Sequence, residues 1–325
     1  MASTSMSAIL PLADKMKRLI PLSLLVAFVM LSNNLQAQQD AMYTQYMFNT
    51  MAINPAYAGS RNVISATALF RNQWTGIQGA PRTGTFTIDA PVYNDKIGIG
   101  FQFISDKLGV TQTTGAVFSA AYRIKMDVGT LSFGVQGNAS QYRVNLTDVS
   151  LSPSQPYDPA FANNINKMLF NFGTGMYYNS DRFYIGLAAQ DLMPNDLSSE
   201  NTSGARLSGK QALHLFFSAG YVFPVAEDLK LKPSFLVKGV KGAPIEADLN
   251  ATLWIKDVIG IGAQYRTSAD IAGLIELQAT PQIRVGYSYD RSTTSLQNFN
   301  SGSHEIMLRY EFGFAKDKIL SPRYF

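Results

Sequence analysis

The sequence predicts an all-β protein: a transmembrane antiparallel β-barrel of about 14 strands, with short periplasmic turns and longer extracellular loops. Three observations predict it. From Asn62 to Phe314, stretches of about ten residues alternate apolar with polar or small side chains, the length and pattern of strands that cross an outer membrane. Charge is sparse at 15% while aromatics reach 12%, so Gly, Ser, Thr, Asn and Gln carry much of the polarity, as a polar but mostly uncharged lumen requires. Turn and loop lengths then alternate in step with an even strand number.

The N-terminal residues 1–37 read as a secretory signal peptide. Lys15, Lys17 and Arg18 form a positive region, Ile20 to Leu31 an apolar one, and Leu35-Gln36-Ala37 offers a small residue for cleavage before Gln38. The apolar stretch is shorter than the ~20 residues a spanning helix needs. Met16 would serve equally as a start, since residues 1–15 add nothing to such a signal. Removing residues 1–37 takes away these three basic residues and Asp14, lowering the net charge from +4 to +2. So small a charge does not imply nucleic acid. The absence of cysteine excludes disulfides and thiolate metal sites.

Residues 38–60 follow as an N-terminal periplasmic segment or plug. Met42, Tyr46, Met47 and Thr50 have helical spacing, and Asn54-Pro55 would stop that helix. The aromatic and Met content suits a docked segment better than a free leader.

The barrel occupies 61–314. Strands are expected near 62–74, 82–91, 96–105, 113–124, 129–143, 168–178, 182–190, 211–222, 229–239, 245–255, 259–266, 271–279, 283–290 and 304–314. Ile97, Ile99, Phe101 and Phe103 interleave with Lys96, Gly98, Gly100 and Gln102, so the first set should face lipid and the second the lumen. Asn94-Asp95, Asn179-Ser180-Asp181, Lys256-Asp257-Val258 and Thr280-Pro281-Gln282 are tight turns, whereas 144–167, 191–210 and 291–303 are long. With the N-terminus in the periplasm, those tight turns fall on one side and the long loops on the other, and an even strand number returns the C-terminus to the periplasm. A soluble sandwich would use shorter strands. A spanning sheet must also close, because an open edge would leave backbone groups unpaired in hydrocarbon. Tyr122, Tyr177, Tyr178, Tyr184, Tyr221, Tyr265, Tyr287, Tyr289 and Tyr310 sit toward strand ends, where aromatic girdles form. A secreted, cysteine-free barrel belongs in the outer membrane of a Gram-negative cell. Residues 315–325 form a C-terminal periplasmic tail, in which Pro322 is a poor strand residue.

Charged residues alternate with oily neighbours at inward positions: Lys96, Arg123, Lys230, Lys232, Lys238, Glu246, Asp248, Arg266, Glu276, Arg284, Asp290, Glu305, Arg309 and Glu311. Both signs occur together, which favours structural ion pairs over a selectivity lining of one sign. No catalytic motif accompanies them. His214 and His304, the only histidines, lie far apart in sequence, with no nucleophile and carboxylate placed beside either. Gly98-Ile99-Gly100, Gly173-Thr174-Gly175 and Gly260-Ile261-Gly262 complete no nucleotide fingerprint. Two glycines on one strand face more readily make room for a plug or lumen side chain. No cofactor and no metal site is expected, and the protein is not read as an enzyme.

Several motifs resemble the PorP/SprF family. They are Gln39-Asp40, Tyr43, Gln45-Tyr46, Asn54-Pro55-Ala56-Tyr57-Ala58-Gly59, Arg71-Asn72-Gln73-Trp74, Asp158-Pro159-Ala160-Phe161, His304-Glu305-Ile306 and Pro322-Arg323-Tyr324-Phe325. The resemblance implies an outer-membrane barrel of Bacteroidota tied to type IX secretion, gliding machinery and surface attachment of large adhesins. It implies as partners a secreted adhesin or its C-terminal domain, periplasmic and outer-membrane type IX secretion components, and outer-membrane lipid. It carries over no catalytic residue. Tyr157, Asp158, Pro159 and Phe161 in the long loop are expected to bind a partner, as are Asn54, Pro55, Tyr57, Arg323, Tyr324 and Phe325 toward the termini. A general porin or solute channel is the alternative.

Overall fold

The computed structural model describes residues 43–149, 158, 161–197, 199–200, 206–207 and 209–312. Fourteen strands form the wall. They are β1 (Ile64–Asn72), β2 (Arg82–Val92), β3 (Ile97–Leu108), β4 (Thr111–Met126), β5 (Gly129–Val144), β6 (Ile165–Asn179) and β7 (Phe183–Gln190). The second half comprises β8 (His214–Tyr221, continued past Val222 by Phe223–Ala226), β9 (Leu229–Val240), β10 (Glu246–Ile255), β11 (Ile259–Arg266), β12 (Asp270–Gln278), β13 (Ile283–Ser292) and β14 (Ser303–Phe312). Each pairs antiparallel with its sequence neighbour. The wall closes where β1 meets β14, from Ile64 opposite Phe312 to Asn72 opposite His304. Closure leaves no unpaired edge in lipid. Among the described residues no helix is long and apolar enough to cross a membrane.

Alternation decides facing. Ile99 and Phe103 are exposed on the outer surface, while Gln102 is only 6% exposed and points inward. Phe118, Phe133, Phe170, Leu187, Ile261, Ile275 and Leu308 extend the outer apolar band around the wall. Two tyrosines depart from the expected girdle. Tyr177 and Tyr184 are buried in the lumen, with ring centroids 5.9 Å apart. Period two forbids Tyr177 and Tyr178 from sharing a face, and Tyr178 takes the outer one.

All three long connections lie at one end, which we term the loop end. The other we term the turn end. Its hairpins are short because their residues accept positive φ. Lys256 and Asp257 have φ of 52° and 57°, both central positions of a tight hairpin whose twist matches the strands. The loop end also contains short hairpins, at Gly109-Val110 and Thr267-Ser268-Ala269, so the asymmetry lies in where the long loops fall. Wall height is uneven: β4, β5 and β6 run 16, 16 and 15 residues, whereas β7 and β11 run 8 each. Above β7, residues 191–197 fold back along β6. Asn171 pins them there by donating to the Met193 carbonyl and accepting from the Met193 N–H, both at 2.9 Å.

The facing of β3 gives a direct expectation. Phe101→Arg should destabilise the assembled barrel by about 2–4 kcal/mol if it sits near the midplane. Urea titration of the folded form in lipid measures this. Normal stability of Phe101→Arg beside a defective Gln102→Leu would mean the strand faces the other way.

Candidate functional site

The interior is occupied by the chain itself. Every residue from Tyr43 to Arg61 is buried except Ala52, which is half-buried. The expected helix is absent: the segment forms three separate single 3₁₀ turns, Tyr46–Phe48, Thr50–Ala52 and Pro55–Tyr57. The reason lies in its hydrogen-bond partners. Backbone N–H groups of Thr44 and Gln45 donate to the Glu305 carboxylate at 3.0 and 2.7 Å, and that of Gly59 donates to Asp89 at 2.8 Å. Backbone carbonyls of Tyr43, Phe48 and Ala52 accept from Arg266, Arg309 and Gln190. The wall satisfies backbone groups that a helix would otherwise pair internally, and Asn49, Thr50 and Asn54 favour such local breaks.

The sequence reading made residues 38–60 a periplasmic segment or a plug, and the described part of that stretch, from Tyr43, runs inside the lumen. Thr44 and Gln45 meet Asp290 and Glu305 near the loop-end limits of β13 and β14. Asn54 reaches the middle of the wall, donating to the Met176 and Leu187 carbonyls at 3.0 and 3.3 Å. Gly59 and Arg61 meet Asp89 and Glu311 near the turn end. The segment therefore descends the whole lumen before β1 begins.

Two glycines make the descent possible. A Cβ at Gly98 would fall on the Ala58 carbonyl, and one at Gly134 would fall into the Ala56 backbone. Any larger residue there pushes the inner segment off the wall.

Buried charges clamp it at several heights. Arg71 Nη1 lies 2.6 Å from Asp290 and 3.0 Å from Glu305, and donates to Thr44 Oγ1 at 2.7 Å. Arg266 grips Asp248 through two nitrogens at 2.8 and 3.1 Å, with Glu246 and Asp270 each at 3.3 Å. Lys232 stands 5.7 Å from the centroid of the Phe48 ring. Arg284 stacks 4.8 Å from the Trp254 ring and lies 3.9 Å from Glu276. Arg61 pairs with Glu311 at the turn end. Burial opposes the charge on Arg61, and the facing Glu311 more than offsets this, holding its pKa above the ordinary value.

Of the inward charges read from the sequence, Glu246, Asp248, Arg266, Glu276, Arg284, Asp290, Glu305 and Glu311 meet partners of opposite sign, whereas Arg123 and Arg309 donate to the Asn62 side chain and the Phe48 carbonyl, and two more need adjusting. Lys96 is exposed at a turn, and Lys230 pairs with Asp257 at 2.7 Å beside another turn. Four buried charges were missed: Arg61, Arg71, Asp89 and Asp191. Parity could have found Arg71, since it shares a face with Ser65 and Thr67. Buried Leu69 interrupts the polar series and hides it.

Above the segment, on the β3 to β9 side, lies a cavity of about 240 Å³. Tyr43, Tyr46, Ala52 and Ile53 line it from the inner segment; Gln102, Gln136, Asn138, Gln190 and Gln211 supply amides, and Asp106, Asp191, His214 and Lys238 supply charged or titratable groups. Its outer rim is apolar: Tyr142, Val144, Leu146, Ile165, Leu169 and Leu197 pack together, with Phe161 against them.

The expected partner-binding residues separate accordingly. Asn54, Pro55 and Tyr57 are buried inside the barrel, where Asn54 caps the third turn and Tyr57 meets Tyr177 edge-on at 5.4 Å. Their contacts are the barrel's own strands. Phe161 packs on the rim cluster, and Asp158 is half-buried in the same loop. Tyr157, Pro159, Arg323, Tyr324 and Phe325 lie outside the described residues.

Comparison with known proteins adds the following. A family model described as "Type IX secretion system membrane protein PorP/SprF" matches residues 35–310. No curated protein matches the chain. Among solved structures, the Ralstonia pickettii toluene transporter TbuX aligns with a TM-score of 0.49 at 9% identity, covering 88% of this chain and 98% of that one. The CymD monoaromatic hydrocarbon channel gives 0.46 at 12% identity, covering 84% and 94%. A Pseudomonas aeruginosa FadL homologue gives 0.44 at 12%, covering 87% and 96%.

Proposed function

Since this chain belongs to the PorP/SprF family of type IX secretion membrane proteins, we propose that it is an outer-membrane scaffold of that system. In this reading it holds a secreted surface adhesin at its loop end and contacts periplasmic components at its turn end. The filled lumen carries the proposal. A barrel whose interior holds its own residues Tyr43 to Arg61, clamped by buried ion pairs, gives much of its lumen to the chain rather than to solutes. What it offers to other molecules is its two ends. At the loop end, an aromatic and aliphatic rim borders a polar cavity, a mixture suited to protein contact. Long loops on a rigid wall are the usual carriers of binding. The competing reading, a general porin or solute channel, needs conductance through the intact protein. Planar-bilayer recordings that stay silent, together with co-purification of a large surface protein, support the scaffold.

The loop at 191–213 permits a clean excision. The Leu197 N–H donates to the Gly209 carbonyl at 2.8 Å, so removing residues 198–208 joins ends that are already adjacent. This deletion should leave the barrel heat-modifiable on gels while reducing surface retention of the adhesin. Unchanged retention after trimming all three long loops would defeat the loop-end assignment.

A further inference from the structure

Cross-strand register brings basic residues that are distant in sequence to one level of the outer wall. Arg82 of β2 stands directly opposite Lys107 of β3. Lys107 in turn faces Gln112 of β4, Gln112 faces Arg143 of β5, and Arg143 faces Asn166 of β6. On the other flank Arg82 faces Asn72 of β1. Alternation turns this row outward, because each member shares its strand's parity with an exposed aromatic: Phe70, Phe86, Phe103, Phe118, Phe133 or Phe170. The row lies at the loop end, immediately beyond the apolar band. Phe70 and Met168, both exposed, are two residues below Asn72 and Asn166, about 7 Å along the strands. That is the level at which hydrocarbon gives way to polar headgroups.

The protein supplies no counter-charge there. Among the described residues, no carboxylate pairs with Arg82, Lys107 or Arg143. The turn end differs, since Lys125 meets Asp95 at 3.1 Å and Lys230 meets Asp257 at 2.7 Å. Instead, amides hold the loop-end guanidinium of β5. Arg143 Nη2 donates to Gln141 Oε1 at 2.6 Å, and Gln141 Nε2 donates to Asn166 Oδ1 at 3.0 Å. Like charges directly opposite each other destabilise a sheet, and their Cβ atoms stand only about 4.5–5.5 Å apart. One anion between Arg82 and Lys107 removes that repulsion. Phosphate suits the pair, because arginine offers two parallel N–H groups and lysine a compact positive charge.

We propose that this row binds the phosphate of an anionic lipid in the leaflet at the loop end, with the phosphate seated between Arg82 and Lys107 and Arg143 flanking it two strands away. The apolar band continues below the seat through Phe86 and Phe103, so the acyl chains of the same molecule lie against the wall. This continuity favours a lipid over a free anion or an acidic segment of a partner. The site is on the outside of the barrel and owes nothing to how the lumen is filled or to what the loops hold.

Lipid retention tests it. The probes are phosphatidylglycerol and the zwitterionic phosphatidylcholine, supplied in equal amounts to the purified protein in detergent and counted by native mass spectrometry. The parent should retain phosphatidylglycerol in preference. Arg82→Gln with Lys107→Gln should retain roughly thirtyfold less, each basic side chain near a lipid surface contributing about fivefold. Lys107→Gln alone should show about a fivefold loss. Both variants should stay heat-modifiable on gels, since the two side chains are exposed. Lys96→Gln with Lys125→Gln makes the same change in net charge at the turn end and should retain lipid as the parent does. Equal retention by the parent and the Arg82 and Lys107 variants overturns the proposal, as does an equal loss in the turn-end variant. Inorganic phosphate at the concentration of the lipid should not displace it; full displacement would make this a free-anion site and overturn the lipid assignment. A second readout is stability in vesicles. Adding phosphatidylglycerol to phosphatidylcholine should raise the urea midpoint of the parent and leave that of the double variant unchanged, and an equal rise in both would overturn the proposal.

Discussion

Deletion of residues 43–60 should convert a silent barrel into one that conducts ions in discrete steps across a planar bilayer. Eight-stranded barrels are filled by their own inward side chains, while 16- to 18-stranded ones leave an aqueous channel. A 14-stranded wall lies near the wide end of that range. Its own side chains leave space that the inner segment takes up, and many of those chains bear ionisable or amide groups. Once vacated, such a surface fills with water. Point variants should reach the same state in part. Gly134→Val sets a branched side chain where the Ala56 backbone lies. It should displace the segment from the turn-end half and produce intermittent conductance. A deleted variant that assembles, remains heat-modifiable and stays silent would show that something other than the segment seals the lumen.

Arg71→Met should lower the stability of the assembled protein by about 3–5 kcal/mol, the range for removing one partner of a buried ion pair. The variant leaves Asp290 and Glu305 facing each other with the neutral Thr44 hydroxyl between them. Both carboxylates are about 1% exposed or less, so water cannot take the place of the guanidinium. The loss should appear as a lower urea midpoint, together with faster proteolysis in the stretch beginning at Tyr43. Adding Asp290→Asn and Glu305→Gln should recover much of it, since the penalty comes from stranded charge. A single Arg71→Met variant as stable as the parent would mean that the clamp contributes nothing to seating the segment.

Much of the wall was legible because lipid and lumen impose opposite demands on consecutive residues. Ile99 and Gln102 illustrate how strictly period two reports them. The inner segment was legible as something docked, from its aromatic and Met content, but its conformation was not. Helical spacing in Met42, Tyr46, Met47 and Thr50 normally reports one apolar face against one polar one. Here the surroundings are a ring of mixed strands, so the spacing has no single face to report. The same limit hid the role of Asn54, whose partners Met176 and Leu187 are more than a hundred residues away. Glu305 was readable as an inward charge from its strand. Nothing local could show that it would accept the backbone N–H groups of Thr44 and Gln45.

The unequal wall has a mechanical side. In antiparallel sheets the inter-strand hydrogen bonds run perpendicular to the strands. β4 and β5 stay in register from Thr111 opposite Val144 down to Met126 opposite Gly129. A load hung on the tall side and drawn outward along the strands would strain that whole ladder at once, in shear. The same load on the low side, where β6 and β7 pair only from Thr174 to Asn179, would be borne by far fewer bonds.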